Sequence, residues 1–455
     1  MPAKRILSGA LAALLIAAIP ARATSVPTFT LVDSIRPGAA SALGNSSFVG
    51  NGRRYDGLGE YLYFQANDGT SGMELWRSNG TNTELVKDIN PGANWSNPES
   101  FTALGGYLYF VANNATSGAE LFRTDGTAAG TTLVKDIYAG GDNSYPRYFT
   151  ALGDYLYFQA TDATNGAELW RTDGTEAGTT LVKDISTGAA DSNPEHFTAL
   201  GNYLYFQATD ATNGAELWRT DGTAAGTTLV KDINPNSGSS SPFSFTKLGN
   251  YLYFNATDAT NGAELWRTDG TAAGTTLVKN ISPDAEGGSY PGGFTKLGDY
   301  LYFSANDGTS GAELWRTDGT AAGTTLVKDV VEGPADGQPY SFVTLGDYIY
   351  FNAGDWPDAR GVWRTNGTDT ENVPLPALGK AGCECWHPLV AIGGRLFSFT
   401  QSDDYGWEFA YLNEPTYVLP ETNRDGSVWT TTLVILAGLT AAASIALRVR
   451  GATRA

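Results

Sequence analysis

The chain is 455 residues long, 42% hydrophobic and 12% aromatic, a composition far from the polar, charge-rich profile of a disordered chain. Its formal net charge of −19, from 29 basic and 48 acidic residues, repels phosphate backbones and excludes nucleic acid as a partner. With only two histidines and two cysteines, there is little material for a histidine triad or a histidine metal cage.

Residues 1–23 carry Lys4 and Arg5, an apolar run from Ile6 to Ile19, and then Ala21-Arg22-Ala23. This pattern predicts a secretory signal peptide cleaved after Ala23, with an uncleaved anchor as the competing reading. From residue 24 to about 420 the chain is dominated by self-similarity. The segment GAELWRTDGTAAGTTLVKDI or a close variant returns with its Trp position at Trp76, Phe122, Trp170, Trp218, Trp266, Trp315 and Trp363. A degenerate eighth copy, GWEFAYL, surrounds Glu408. Periods of this length belong to stacked repeats, because one supersecondary unit cannot bury its own apolar face.

Within the unit 149–185 four stretches read as strands: FTAL, DYLYFQA, AELWRT and TTLVKDI. Each is rich in aromatic or β-branched residues and bounded by Gly, Asp, Asn or Thr. Leu156 and Phe158 fall on one face of the second strand, Tyr155 and Tyr157 on the other. Both faces are apolar or aromatic, as in a sheet packed between two others. The expectation is an all-β fold, a β-propeller of about eight four-stranded blades, with seven as the alternative. LVDSI at Leu31 supplies a surplus strand and Tyr417-Val418-Leu419 a deficit, which predicts ring closure between the two ends.

The recurrent residues read as scaffold. Asp-Gly at Asp125, Asp173, Asp221, Asp269 and Asp318 is a hairpin-turn signal. Glu120, Glu168, Glu216, Glu264 and Glu313 suit hydrogen bonds or ion pairs with Arg or Lys inside the repeat. The loops opening at Asp68, Asp162, Asp210, Asp258 and Asp307 are short runs of Asp, Thr, Asn, Ser and Gly. Hard oxygen donors in tight loops suit Ca²⁺, although plain turns account for them equally and no copy has dense Asp-x-Asp-x-Asp spacing. The loop after LVKDI is where the copies diverge, from NPGANWSNPES to YAGGDNSYPRY to SPDAEGGSYPGG. Variation confined to one end of a regular scaffold is what a binding surface needs. Trp95, Asp142, Tyr145, Arg147, Asp191, Glu195, His196, Glu286, Tyr290 and Asp336 are the candidate ligand-binding residues, with drifting solvent loops as the alternative.

Cys383-Glu384-Cys385-Trp386-His387 holds both cysteines. Outside the cell Cys383 and Cys385 favour a local disulfide or stay as thiols, while on a strand they and His387 share a face that could bind a soft metal. Residues 421–428 then form a juxtamembrane linker. The span 429–447 is uncharged and mostly apolar, roughly 28 Å long as a helix, and the basic tail 448–455 keeps that end cytoplasmic. Leu419-Pro420-Glu421-Thr422-Asn423 before it resembles a sortase sorting signal, with Asn423 where that pattern has Gly. Wall attachment near Thr422 therefore stands beside a plain single-pass anchor.

Glu168-Leu169-Trp170-Arg171-Thr172-Asp173-Gly174-Thr175 and its copies resemble the ELWxxDGT-repeat family of bacterial secreted and surface proteins. The pattern departs from the family at Phe122, at Asn79 and Asn366 for Asp, and at Val362 for Glu. The resemblance implies extracellular display and names no activity. TDATNGAELWRTDGT also looks like the blade-docking motif of quinoprotein dehydrogenases, which speaks to fold more than to chemistry. The leading expectation is a non-enzymatic cell-surface propeller that binds a glycan, protein or matrix ligand. The alternative is a quinoprotein-like or carboxylate-based propeller enzyme at the cell surface.

Overall fold

The computed structural model describes residues 55–79, 82–235, 238–283, 287–354, 361–373, 389–392, 395–402 and 406–413. The expected signal peptide, the strand at Leu31, Glu286, the Cys383/Cys385 pair with His387, the linker, the apolar span and the Thr422 motif lie outside the described residues. What is described is all strand and turn, with no helix. Seven four-stranded antiparallel sheets follow one another along the chain, over residues 55–87, 99–135, 147–183, 195–231, 243–279, 292–328 and 340–373. Each is a plain meander in sequence order, the topology of a propeller blade. A three-stranded sheet spans residues 390–413.

Among the described residues the four-stranded blades therefore number seven, the alternative to the eight first expected from the repeat. The GWEFAYL copy supplies the strand Gly406–Asn413, with which the described residues end.

In the third blade the strands are Arg147–Leu152, Tyr155–Asp162, Gly166–Thr172 and Thr180–Lys183. Side-chain alternation along the second strand sends Leu156, Phe158 and Ala160 toward the preceding blade. There they meet Tyr109, Leu121, Val134 and Ile137, and Trp170 of the third strand joins them. Tyr157 points the other way, into the cluster shared with the following blade. The same interlayer core recurs between successive sheets along the array, so each blade is stabilised mainly by its neighbours.

Polar clasps reinforce these interfaces at one end of the blades. Arg171 Nη1 donates to the Gly222 carbonyl of the next blade at 2.8 Å, and its guanidinium lies over the Tyr155 ring at 4.5 Å. Lys183 Nζ donates to the Thr227 carbonyl at 2.8 Å and sits over the Trp218 ring. The Asp-Gly signal marks the loop that receives the arginine. It is a longer loop than a two-residue hairpin, running from Asp173 to Thr179 between the third and fourth strands. Asp173 Oδ1 accepts both the N–H and the hydroxyl of Thr175, and Gly174 adopts φ +92° with the Tyr109 hydroxyl against it. A methyl group at Gly174 would stand 2.2 Å from that oxygen, so glycine is required both by conformation and by contact.

Candidate functional site

The divergent loops are held by the repeated glutamates. Glu168 in the third strand is 0% exposed. Its Oε2 accepts the Ile185 N–H at 2.8 Å and the Ser192 hydroxyl at 2.6 Å, while Oε1 accepts the N–H groups of Ser186 and Ser192. The two ends of the variable loop are thus pinned to one buried carboxylate. Glu74, Glu120, Glu216 and Glu264 repeat the arrangement with Ser96, Ser144, Ser240 and Ser289. Glu313 keeps it with backbone alone, because Gly337 stands where the others have serine. The partners are backbone N–H and serine hydroxyls, so the glutamates make hydrogen bonds within the repeat and not the ion pairs with Arg or Lys that the sequence also allowed. Burial pushes the carboxyls up, to about 7 for Glu120, Glu168 and Glu313 and to about 6 for Glu74, and Glu216 and Glu264 are raised too. The bonds they accept oppose this shift without cancelling it.

Directly after its second pinned residue each loop presents a residue with positive φ just before a buried proline: Asn97, Tyr145, Asn193, Ser241, Tyr290 and Gln338. Asn and Ser tolerate this region, whereas a tyrosine in it is an outlier. Tyr145 and Tyr290 are 51% and 64% exposed, and Trp95, two residues before Asn97, is 54% exposed. These three sequence candidates are large aromatic surfaces directed at solvent.

Other candidates serve the scaffold. Asp191 Oδ1 accepts the Ala167 N–H at 2.7 Å and Asp336 Oδ1 the Ala312 N–H at 2.8 Å, each bonding backbone beside the preceding turn. The Asp142 carbonyl packs on Gly118, leaving no room there for a Cβ. Arg147 is exposed and makes one long contact to the Tyr145 carbonyl. Glu195 accepts from Gln207 Nε2 at 2.8 Å, and His196 Nε2 lies 3.7 Å from the same carboxylate oxygen.

In the Asp-Thr-Asn loops the carboxylates are bound within the loops themselves. Asp162 Oδ1 accepts the N–H groups of Thr164 and Asn165, and Oδ2 accepts Asn165 Nδ2, so the loop satisfies its own carboxylate. Asp210 and Asp258 do the same, as do Asp68 and Asp307 with Ser and Thr donors. No three His, Cys, Asp or Glu side chains converge to hold a metal among the described residues.

Sequence reasoning missed a second positive-φ position. Near the start of each first strand from the second blade to the seventh, two residues stand opposite one residue of the second strand, as at Glu195↔Gln207 followed by Thr198↔Tyr205. The first residue of this bulge is Ser100, Tyr148, His196, Ser244, Gly293 or Ser341, with φ between 57° and 72°. Such bulges re-aim a side chain. Successive first strands are neighbours along the inner edge of the array, and there Ser100, Tyr148, His196 and Ser244 border one open cavity of about 320 Å³. The only sequence signal was the variable residue ahead of an unvarying Phe, at Phe101, Phe149, Phe197, Phe245, Phe294 and Phe342.

No protein-family model matches the chain, and no curated protein matches it in sequence. Solved structures that resemble it include the computationally designed Ika8 protein, at 13% identity and a TM-score of 0.44, covering 79% of this chain and 95% of that one. A puromycin hydrolase S511A mutant complexed with PGG is 14% identical with a TM-score of 0.39. Oligopeptidase B from Leishmania major is 11% identical with a TM-score of 0.41. The matches cover 78% of this chain in both cases, but only 58% and 54% of the two hydrolase chains.

Proposed function

We propose that this chain is a non-enzymatic recognition propeller of the ELWxxDGT type, displayed outside the cell to bind a glycan, protein or matrix ligand through its divergent loops. One observation carries the reading: Trp95, Tyr145 and Tyr290 are exposed in those loops, and both tyrosines occupy left-handed positions that Asn, Ser or Gln fill elsewhere in the array. Large rigid aromatics held at a conformational cost on a fixed scaffold are the usual anchors of a binding surface.

The ends of the sequence support display. Residues 1–23 read as a cleaved leader, 24–420 as the repeat body, 421–428 as a linker, 429–447 as a membrane span and 448–455 as a cytoplasmic tail, with sortase attachment near Thr422 as the other route to the surface.

A glycan array and a cell-surface pull-down, run with the full chain and with a Trp95→Ala, Tyr145→Ser, Tyr290→Ser variant, test this. Capture by the parent chain and its loss in the equally well-folded variant are expected. Capture that survives the triple substitution, or none by the folded parent, overturns it.

A further inference from the structure

The cavity at the inner edge differs in chemistry from the loop aromatics, and four blades contribute to it at equivalent positions. Each lines it with a bulge residue and the Phe that follows, and three add the next residue, Thr102, Thr150 or Thr198. The scaffold demands a left-handed residue at the bulge, and Ser or Gly meets that demand in four of the six blades that have it. In the two adjacent blades that remain, Tyr148 and His196 take the position at φ 62° and 61°. A repeat array thus departs from its own pattern at two neighbouring points on one cavity, with large ring side chains in place of Ser or Gly, and the tyrosine is in a conformation it disfavours. Neither is needed to build a blade.

We infer that this inner-edge cavity binds a single neutral pyranose ring, with Tyr148 and His196 as the side chains that select it. The lining holds no Asp, Glu, Lys or Arg, so it offers neither a guanidinium for an anion nor a carboxylate for a cation. The nearby Glu195 already receives Gln207, and the net charge of −19 disfavours anions further. Hydroxyls from Ser, Thr and Tyr both donate and accept, which suits the vicinal hydroxyls of a sugar. Partly buried Phe149, Phe197 and Phe245 and the Tyr148 ring offer apolar surface to its C–H faces. A volume of about 320 Å³ is at the small end for ligand pockets and suits one ring rather than a chain. The inference rests on the recognition role proposed above and adds a second, smaller site with a stated ligand class.

His196 and His387 are the only histidines, so the imidazole Cε1–H signals of the full chain form a two-line probe, assigned with His196→Ser. Methyl glycosides of glucose, galactose, mannose and N-acetylglucosamine would be titrated at fixed pH, beside sodium sulfate and tetramethylammonium chloride. At least one glycoside should move the His196 line saturably and leave the His387 line in place. Tyr148→Ser introduces the residue found at the same position in Ser100, Ser244 and Ser341, so the blade tolerates it; binding should weaken about tenfold or more, the loss of one good contact. Asp154→Asn, in the turn at the far end of the same strand, should bind as the parent does. Absence of any glycoside shift, a shift caused by sulfate or tetramethylammonium instead, or full binding by Tyr148→Ser overturns the inference. A retained array signal with no glycoside shift defeats this site alone, whereas a glycoside shift with no captured partner defeats the loop-surface reading alone.

Discussion

Glu168 Oε2 and the Ser192 hydroxyl meet at 2.6 Å across 24 residues of chain, in a site from which water is excluded. That bond joins the most regular part of the repeat to its least regular part. It lets a variable loop change its tip while its two ends stay where the blade needs them.

Replacing that carboxylate should therefore hurt more than replacing the hydroxyl. Above about pH 7, where Glu168 is ionised, Glu168→Gln puts an amide donor against N–H donors and should cost about 1–3 kcal/mol. Ser192→Ala should cost about 1 kcal/mol, since Glu313 manages with Gly337 and backbone bonds alone. Urea unfolding of the two variants checks the order; equal costs would contradict it.

The same carboxyls set a pH dependence. Each raised Glu binds its proton more tightly in the folded protein than in the unfolded chain, whose value is near 4.5. Their stabilising contribution is full below that value and is lost as pH rises through about 6 for Glu74 and about 7 for Glu120, Glu168 and Glu313. The turn carboxylates act in the opposite sense. Asp125, Asp173, Asp221 and Asp318 are lowered from 3.8, chiefly by Thr hydroxyl bonds, so their contribution is lost as pH falls below that value. Maximum stability is expected between about pH 4 and 5, falling toward neutrality by up to on the order of 1 kcal/mol per pH unit for each raised Glu. Melting temperatures from pH 3.5 to 8 test this; a rise from pH 5 to 7.5 would count against it.

Two glycines in one repeat should respond differently. Gly174→Ala places a methyl 2.2 Å from the Tyr109 hydroxyl at φ +92° and should destabilise by more than about 2 kcal/mol. Gly153 has φ +59°, and no atom lies within 4 Å of the point a Cβ would occupy there, so Gly153→Asn should cost no more than about 1 kcal/mol. Thermal denaturation separates them.

At the blade interface the second copy already tests a substitution. Phe122 stands in the Trp position and is 5% exposed, against 6% for Trp218. Trp218→Phe should cost less than about 2 kcal/mol, and Trp218→Ala about 3–5 kcal/mol. Calorimetry on the pair decides whether the position needs an indole or only an aromatic filler.

Relief of backbone strain should separate stability from binding. Tyr145→Asn and Tyr290→Asn replace left-handed tyrosines with a residue that favours that region. Each should raise stability by a few tenths to about 1 kcal/mol while weakening capture of the partner on the array. Variants that lose both properties would show that the tyrosines serve packing instead.

The alternation in DYLYFQA and the period of the Trp position were enough to specify an all-β repeat array, because strand periodicity and recurring turns are local properties written once per unit. The assignment of Leu156 and Phe158 to one face and Tyr157 to the other was legible for the same reason. The blade count stayed open between eight and seven, since whether GWEFAYL belongs to a full blade depends on pairing rather than on its own pattern. Asp191 and Asp336 looked like ligands and serve as backbone acceptors, a role set by where the neighbouring turn arrives. The Glu168–Ser192 bond and the cavity that Tyr148 and His196 both line join residues that no local signal connects. The sequence by itself determined the repeat, its strands and its divergent loops; the tertiary structure alone decided which polar groups are used up inside the scaffold and which side chains face a common cavity. Burial and hydrogen-bond satisfaction are settled only when distant segments meet.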